Sequence, residues 1–153
     1  MTSGIDNVEN KASSLASRCF ETPYPKQKRK GAHPIRSLVV DDDNTILNYV
    51  AQMLTNIGLQ TVKTAQKIPE VMNELATGSY DLLVTDLEMP DINGYQLAHE
   101  IKKEAHDIKV IIMTGRPEEA CLDMMATQRA DGWLFKPFGL NELRSKLKGL
   151  GLV

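Results

Sequence analysis

Four carboxylates and a lysine carry the chemistry of this sequence. Three acids stand together in Ser-Leu-Val-Val-Asp-Asp-Asp (37–43). The fourth, Asp86, lies in Leu-Leu-Val-Thr-Asp-Leu-Glu-Met-Pro-Asp-Ile-Asn-Gly (82–94), and Lys136 lies in Gly-Trp-Leu-Phe-Lys-Pro-Phe (132–138). Each acid group directly follows an apolar, β-branched run, which places it at the carboxyl end of a predicted strand. In an open α/β sheet that edge is where ligands bind. Carboxylates gathered there suit a hard cation such as Mg2+, and Mg2+ beside a lysine suits a phosphate group.

The elements that must position these residues are legible as strand and helix in alternation from Arg36 onward. Leu38-Val39-Val40 is a short continuous apolar run, as expected of a strand buried on both faces. Ile46, Val50, Leu54 and Ile57 recur at helical spacing, and Gly58 stops that helix. A second strand is predicted over 59–63, and Pro69 suits the first turn of a helix carrying Val71, Met72 and Leu75 that ends before Gly78. The third strand is predicted over 82–85 and its helix carries Tyr95, Leu97, Ala98 and Ile101. The fourth strand, 110–113, leads to a helix opening near Pro117 with Leu122, Met125 and Ala126. Trp133, Leu134 and Phe135 form the fifth strand, and Leu140, Leu143 and Leu147 line the last helix. Five such units imply a five-stranded parallel sheet with right-handed crossovers and helices on both faces.

Bulk properties bound the partners. At 153 residues the chain has room for one domain and an appendage. Its 18 basic and 20 acidic residues give a net charge of −2, but residues 1–35 carry six Lys/Arg against three Asp/Glu, leaving −5 on the remainder. Residues 1–35 are polar, with a Lys26-to-Lys30 basic patch and scattered prolines, and read as a flexible extension in which 9–20 offers a short helix at most. The patch is expected to act as a soluble tether, not as a nucleic-acid contact. The expected layout is extension 1–35, domain 36–149 and a short tail 150–153. No run spans a membrane and no signal peptide opens the chain, so a cytoplasmic protein is expected. Cys19 and Cys121 form no metal or disulfide pattern, and His33, His99 and His106 lack partners at ligand spacing.

Over about residues 36–149 the chain resembles the receiver domain of bacterial two-component response regulators. The motifs that carry the resemblance are the acid pair after strand one, Asp86-x-x-Met-Pro-x-x-x-Gly94, Thr114-Gly115 after strand four, and Lys136-Pro137-Phe138 after strand five. Each alone is weak; four in register along five β-α units are specific. The resemblance implies the flavodoxin-like strand order 2-1-3-4-5, which sets strands one and three side by side. It implies Asp86 as phosphoryl acceptor, and Mg2+ held by Asp42 directly, Asp41 through water, Asp86, and the backbone carbonyl of Glu88. It also implies Lys136 and Thr114 as phosphoryl contacts and a cis Lys136–Pro137 bond. Asp43 is read as structural, at the start of helix one.

The same resemblance implies a switch of Thr114 and Trp133, with Trp133 standing where Tyr or Phe is more usual. An indole is bulkier, so its inward rotation is expected to be restricted, and the readout shifted on the helix-four, strand-five, helix-five face. Glu88 and Arg116 border the site at positions that tune phosphoryl lifetime. The implied partners are a sensor histidine kinase or histidine phosphotransfer protein and a downstream protein target. A monomer, or a weak dimer through the helix-four, strand-five, helix-five face, is expected. The layout reads as a stand-alone receiver without an output domain, and not as an enzyme beyond assisting its own phosphoryl transfer and loss.

Two rival readings compete with this one. Asp41-Asp42-Asp43-Asn44-Thr45 fits the Asp-x-Asp-x-Thr of haloacid-dehalogenase-like phosphatases, with Asp41 as nucleophile and Asp43 as acid/base. That family also needs an acidic pair after its lysine, where only Glu142 remains, and it leaves 86–94 unexplained. A receiver-like module that is never phosphorylated is the second; the intact acids, threonine and lysine speak against it.

Overall fold

The computed structural model describes residues 34–105 and 107–153. Residues 1–33 of the extension, with the basic patch, Cys19 and His33, lie outside the described residues, as does His106. The chain runs β1 (Arg36–Val40), α1 (Asn44–Ile57), β2 (Thr61–Ala65), α2 (Ile68–Thr77), β3 (Leu82–Asp86), α3 (Gly94–Glu104) and β4 (Lys109–Thr114). A 3-10 turn (Glu118–Cys121) then continues into α4 (Leu122–Ala126), followed by β5 (Gly132–Phe135) and α5 (Leu140–Gly149). All strand pairs are parallel, in the order β2-β1-β3-β4-β5.

Alternation along the strands divides the core into two layers, because successive side chains point to opposite faces. Val39, Leu82, Val84, Ile111, Met113 and Leu134 face Leu47, Val50 and Leu54 of α1 and Leu143 and Leu147 of α5. Leu38, Val40, Leu83, Val110, Ile112 and Trp133 face α2 and α3, through Val71, Leu75, Leu97 and Ile101 among others. The central strand β3 is buried along its whole length, so it needs apolar residues on both faces. That explains why its only strong polar groups, Thr85 and Asp86, stand at its carboxyl end.

Two elements differ from the sequence expectation. β2 begins two residues later than 59–63, because Leu59 belongs to the end of α1. Gly58 adopts φ 116°, its N–H donates to the Thr55 carbonyl at 3.0 Å, and the Leu59 N–H donates to Leu54 at 3.1 Å. This pair of bonds, with Leu59 and Leu54 both buried, is a Schellman cap. The fourth helix is shorter than its apolar spacing implies: α4 has five residues and buries none of them. Leu122, counted on its inner face, is 55% exposed. A 3-10 turn eclipses side chains at i and i+3, so an α-helical reading of 118–126 aims Leu122 wrongly.

Candidate functional site

The strand order brings the three chemical segments to one edge. β1 and β3 pair with Val40 opposite Thr85, so the residues following them, Asp41 and Asp86, meet at the point where the chain winds in opposite directions. Such a switch point opens a crevice outside the strand ends. β4 lies next, ending at Thr114, and β5 beyond it delivers Lys136. The lysine crosses about two strand spacings, ~10 Å, to return to β3.

Three carboxylates converge. Asp41, Asp42 and Asp86 each offer an oxygen, all within 4.8 Å of one another. Asp41 is 1% exposed and Asp86 6% exposed, whereas Asp42 lies at the exposed rim. Lys136 Nζ donates to Asp86 Oδ1 at 3.0 Å and to Asp41 Oδ2 at 3.4 Å. The Asp43 N–H donates to Asp41 Oδ1 at 2.9 Å, fixing that carboxylate. The Lys136–Pro137 bond is cis, and the Lys136 N–H donates to the Thr114 carbonyl at 2.8 Å.

The electrostatics follow from crowding acids under cover. Burial, reinforced by Asp86 and opposed by the Asp43 N–H and by Lys136, pushes the Asp41 carboxyl up to about 6. Burial likewise raises Asp86, and the hydrogen bond and charge of Lys136 do not cancel it. For Lys136 burial acts downward, but the Asp86 hydrogen bond and charge, with Asp41, outweigh it and hold the ammonium above its usual value. Two carboxylates with one lysine between them are under-compensated. A divalent cation relieves that excess, so the donor set fits a hard, oxygen-seeking metal.

Local structure explains the spacing of the β3–α3 motif. Gly94 opens α3 with its N–H donating to the Leu87 carbonyl at 2.9 Å. A Cβ there lies 2.2 Å from the Asp86 carbonyl oxygen and 3.0 Å from its carbon. Only glycine lets the helix start press against the backbone that carries Asp86. Asn93 caps the helix, accepting from the Gln96 N–H at 2.8 Å. Neither role was assigned from the sequence, where the glycine was only a motif position.

The remaining predicted residues fall around this centre. Thr114 is fully buried, and its Oγ1 accepts from the Arg116 N–H at 3.0 Å. Glu88 and Arg116 form an ion pair at the mouth, both half-exposed. They line a cavity of about 320 Å³ with Asp42, Leu87, Met89, Pro90, Asn93 and Met124. Trp133 is 6% exposed and lies in the α2/α3 layer of the core. Asp43 is the N-cap of α1, accepting from the Thr45 N–H at 2.8 Å. It is not among the three carboxylates that converge, and its engagement in the cap speaks against the acid/base role that the phosphatase reading requires.

A doubly wound α/β domain with an acid cluster and lysine at its switch point is the class the structure defines. The receiver domain profile of response regulators matches residues 37–148, and the chain belongs to that family. It is 34% identical to a probable transcriptional regulator ycf27 of Cyanidium caldarium, over 82% of this chain and 48% of that protein. It is 36% identical to the DNA-binding transcriptional regulator NtrC of Azospirillum brasilense, over 71% of this chain and 22% of that protein. The crystal structure of the Thermotoga maritima response regulator TrrA in complex with Mg2+ and BeF superimposes with a TM-score of 0.68 at 34% identity, covering 76% of this chain and 98% of that one. The chain spans half or less of the length of the curated relatives cited, and these include DNA-binding regulators. The expectation of no nucleic-acid partner therefore draws no support from them. Among the described residues no helix is long and apolar enough to cross a membrane.

Proposed function

We propose that this chain is the phosphorylation-controlled switch of a two-component phosphorelay, taking a phosphoryl group onto Asp86 from a phosphohistidine donor. The observation that carries the reading is Lys136 Nζ at 3.0 Å from Asp86 Oδ1 inside a cluster of three carboxylates. An Asp86 carboxylate oxygen attacks phosphorus, the P–N bond breaks, and its electron pair returns to the imidazole nitrogen, which takes up a proton. Lys136 neutralises charge on a phosphoryl oxygen, and Thr114 Oγ1 donates to another, so both act where negative charge spreads. Asp41, Asp42, Asp86 and the Glu88 backbone carbonyl form the site for Mg2+, which supplies charge compensation for the acid and the incoming phosphoryl group.

The Glu88–Arg116 pair narrows the mouth and restricts the water that hydrolyses the acyl phosphate. The donor is a sensor histidine kinase or a histidine phosphotransfer protein. Thr114 and Trp133 pass the change to the α4–β5–α5 face, which meets the downstream protein. The test is incubation of the full chain with Mg2+ and acetyl phosphate. A phosphoryl adduct that is lost in Asp86→Ala and retained in Asp43→Ala supports the reading. Steady phosphatase turnover that survives Asp86→Ala but not Asp41→Ala overturns it in favour of the phosphatase.

A further inference from the structure

The segment between β4 and β5 is weakly anchored in the core. Its 3-10 turn buries Cys121, and α4 has no fully buried residue, only Met124 and Met125 packed part-buried against the core. Few buried contacts mean low local stability, so other contacts must hold α4 in place. Three side chains do so at its far end. Tyr95, in the first turn of α3, donates its hydroxyl to Thr127 Oγ1 at 2.9 Å, and Thr127 Oγ1 donates to the Met124 carbonyl at 2.7 Å. The Arg129 guanidinium lies over the Tyr95 ring, 4.5 Å from its centroid, a cation–π contact. Between them Gln128 takes φ 57°, which non-glycine residues seldom adopt. That reversal lets residues on either side of Gln128 reach the same ring.

Both ends of the segment are tied to the candidate site. It starts from Thr114, whose Oγ1 accepts from the Arg116 N–H. It ends on Tyr95, next to Gly94, which is pressed against the Asp86 backbone. We propose that Tyr95, Thr127 and Arg129 form a latch that fastens α4 to α3 and resists movement of the Thr114–Arg116 end toward an anion on Asp86. The inference rests on Asp86 being the phosphoryl site. Opening the latch therefore eases anion binding, because the two equilibria are linked.

The test uses the full chain and the variants Tyr95→Phe and Arg129→Gln, with Tyr49→Phe as control. Tyr49 likewise donates its hydroxyl, to the Phe138 carbonyl at 3.4 Å, but from α1. Amide hydrogen exchange over 118–128 is expected to quicken about threefold to fivefold in the latch variants, as loss of one net hydrogen bond (Tyr95→Phe) or one cation–π contact (Arg129→Gln) implies, with the rest of the domain unchanged. Mg2+-dependent beryllofluoride affinity, read by calorimetry, is expected to rise by about threefold for the same reason. The control moves neither quantity. Unchanged exchange over 118–128 refutes the latch, and affinity that is unchanged or weaker refutes its coupling to the site. A wild-type chain that binds no beryllofluoride refutes the phosphoryl reading and the coupling together, while the exchange arm still decides whether the latch exists.

Discussion

Replacing Gly94 by alanine tests how tightly α3 is set against Asp86. The backbone at Gly94 is outside the left-handed region, and the residue opens a helix, so on propensity alone alanine stabilises by about 1 kcal/mol at most. Packing predicts the opposite sign. The new Cβ falls 2.2 Å from the Asp86 carbonyl oxygen, where ordinary contact begins at 3.4 Å, and the two nearest atoms it meets are backbone. Something must move by about 1 Å, and overpacking of this kind costs about 1–3 kcal/mol. The net expectation is a loss of about 1–2 kcal/mol. It is read from urea unfolding followed by the fluorescence of Trp133, the single tryptophan, at unchanged m-value. The same shift carries the Asp86 carboxylate away from Lys136, and a misplacement near 1 Å lowers a positioned reaction by up to about 100-fold. Phosphorylation by acetyl phosphate should therefore slow by about 10- to 100-fold. A Gly94→Ala chain as stable as wild type that is phosphorylated at the wild-type rate refutes the reasoning. Loss of stability alone, with the rate intact, confines Gly94 to a structural role.

Three further outcomes follow from the site. Asp43→Ala removes the α1 cap and should cost about 1 kcal/mol in stability, yet leave phosphorylation of Asp86 intact; loss of all phosphoryl chemistry in this variant contradicts the assignment of Asp43 to capping. Lys136→Ala should move two quantities in opposite directions. Mg2+ binding tightens, because a competing charge 3.0 Å from Asp86 is gone, while phosphorylation slows by about 100-fold through loss of a charge-stabilising donor; parallel changes contradict the roles given. Finally, Asp41 must lose its proton to face a cation, and burial holds its carboxyl up at about 6. Mg2+ affinity measured by calorimetry should rise with pH through about 6 and then level off. Without Mg2+ the sign reverses for folding. The folded chain keeps the Asp41 proton above the ordinary value of 3.8, so this group's contribution to stability falls as pH rises from 3.8 to about 6. Affinity flat across that window contradicts the burial argument.

The site was largely legible in the sequence because each of its segments is local. An apolar run followed by acids, Asp86 to Gly94, and Lys136-Pro137 each declare themselves within a dozen residues, and parallel topology does the rest. What stayed hidden depends on contacts between distant segments. The sequence shows Gly94 but not the Asp86 carbonyl 2.2 Å from its missing Cβ. It shows Tyr95, Thr127 and Arg129 as unrelated residues, one on a helix and two in the loop after α4. The shift of β2 was in principle readable, since Gly58 followed by an apolar residue is the Schellman pattern. The shortened α4 was not, because Leu122, Met125 and Ala126 have helical spacing even though the turn before them is 3-10. The resting place of the indole was not readable from residue volume alone. Whether Trp133 fits depends on the space left by Ile112, Cys121 and the α4 methionines, which only the packed layer reveals.

The central claim is that Asp86 becomes an acyl phosphate, and chemical trapping tests it most directly. The full chain is reacted with Mg2+ and acetyl phosphate and then reduced with borohydride, which converts an aspartyl phosphate to homoserine. Peptide mass spectrometry locates the product. The account predicts homoserine at position 86 and at no other aspartate. Homoserine at position 41 with Asp86 untouched contradicts it.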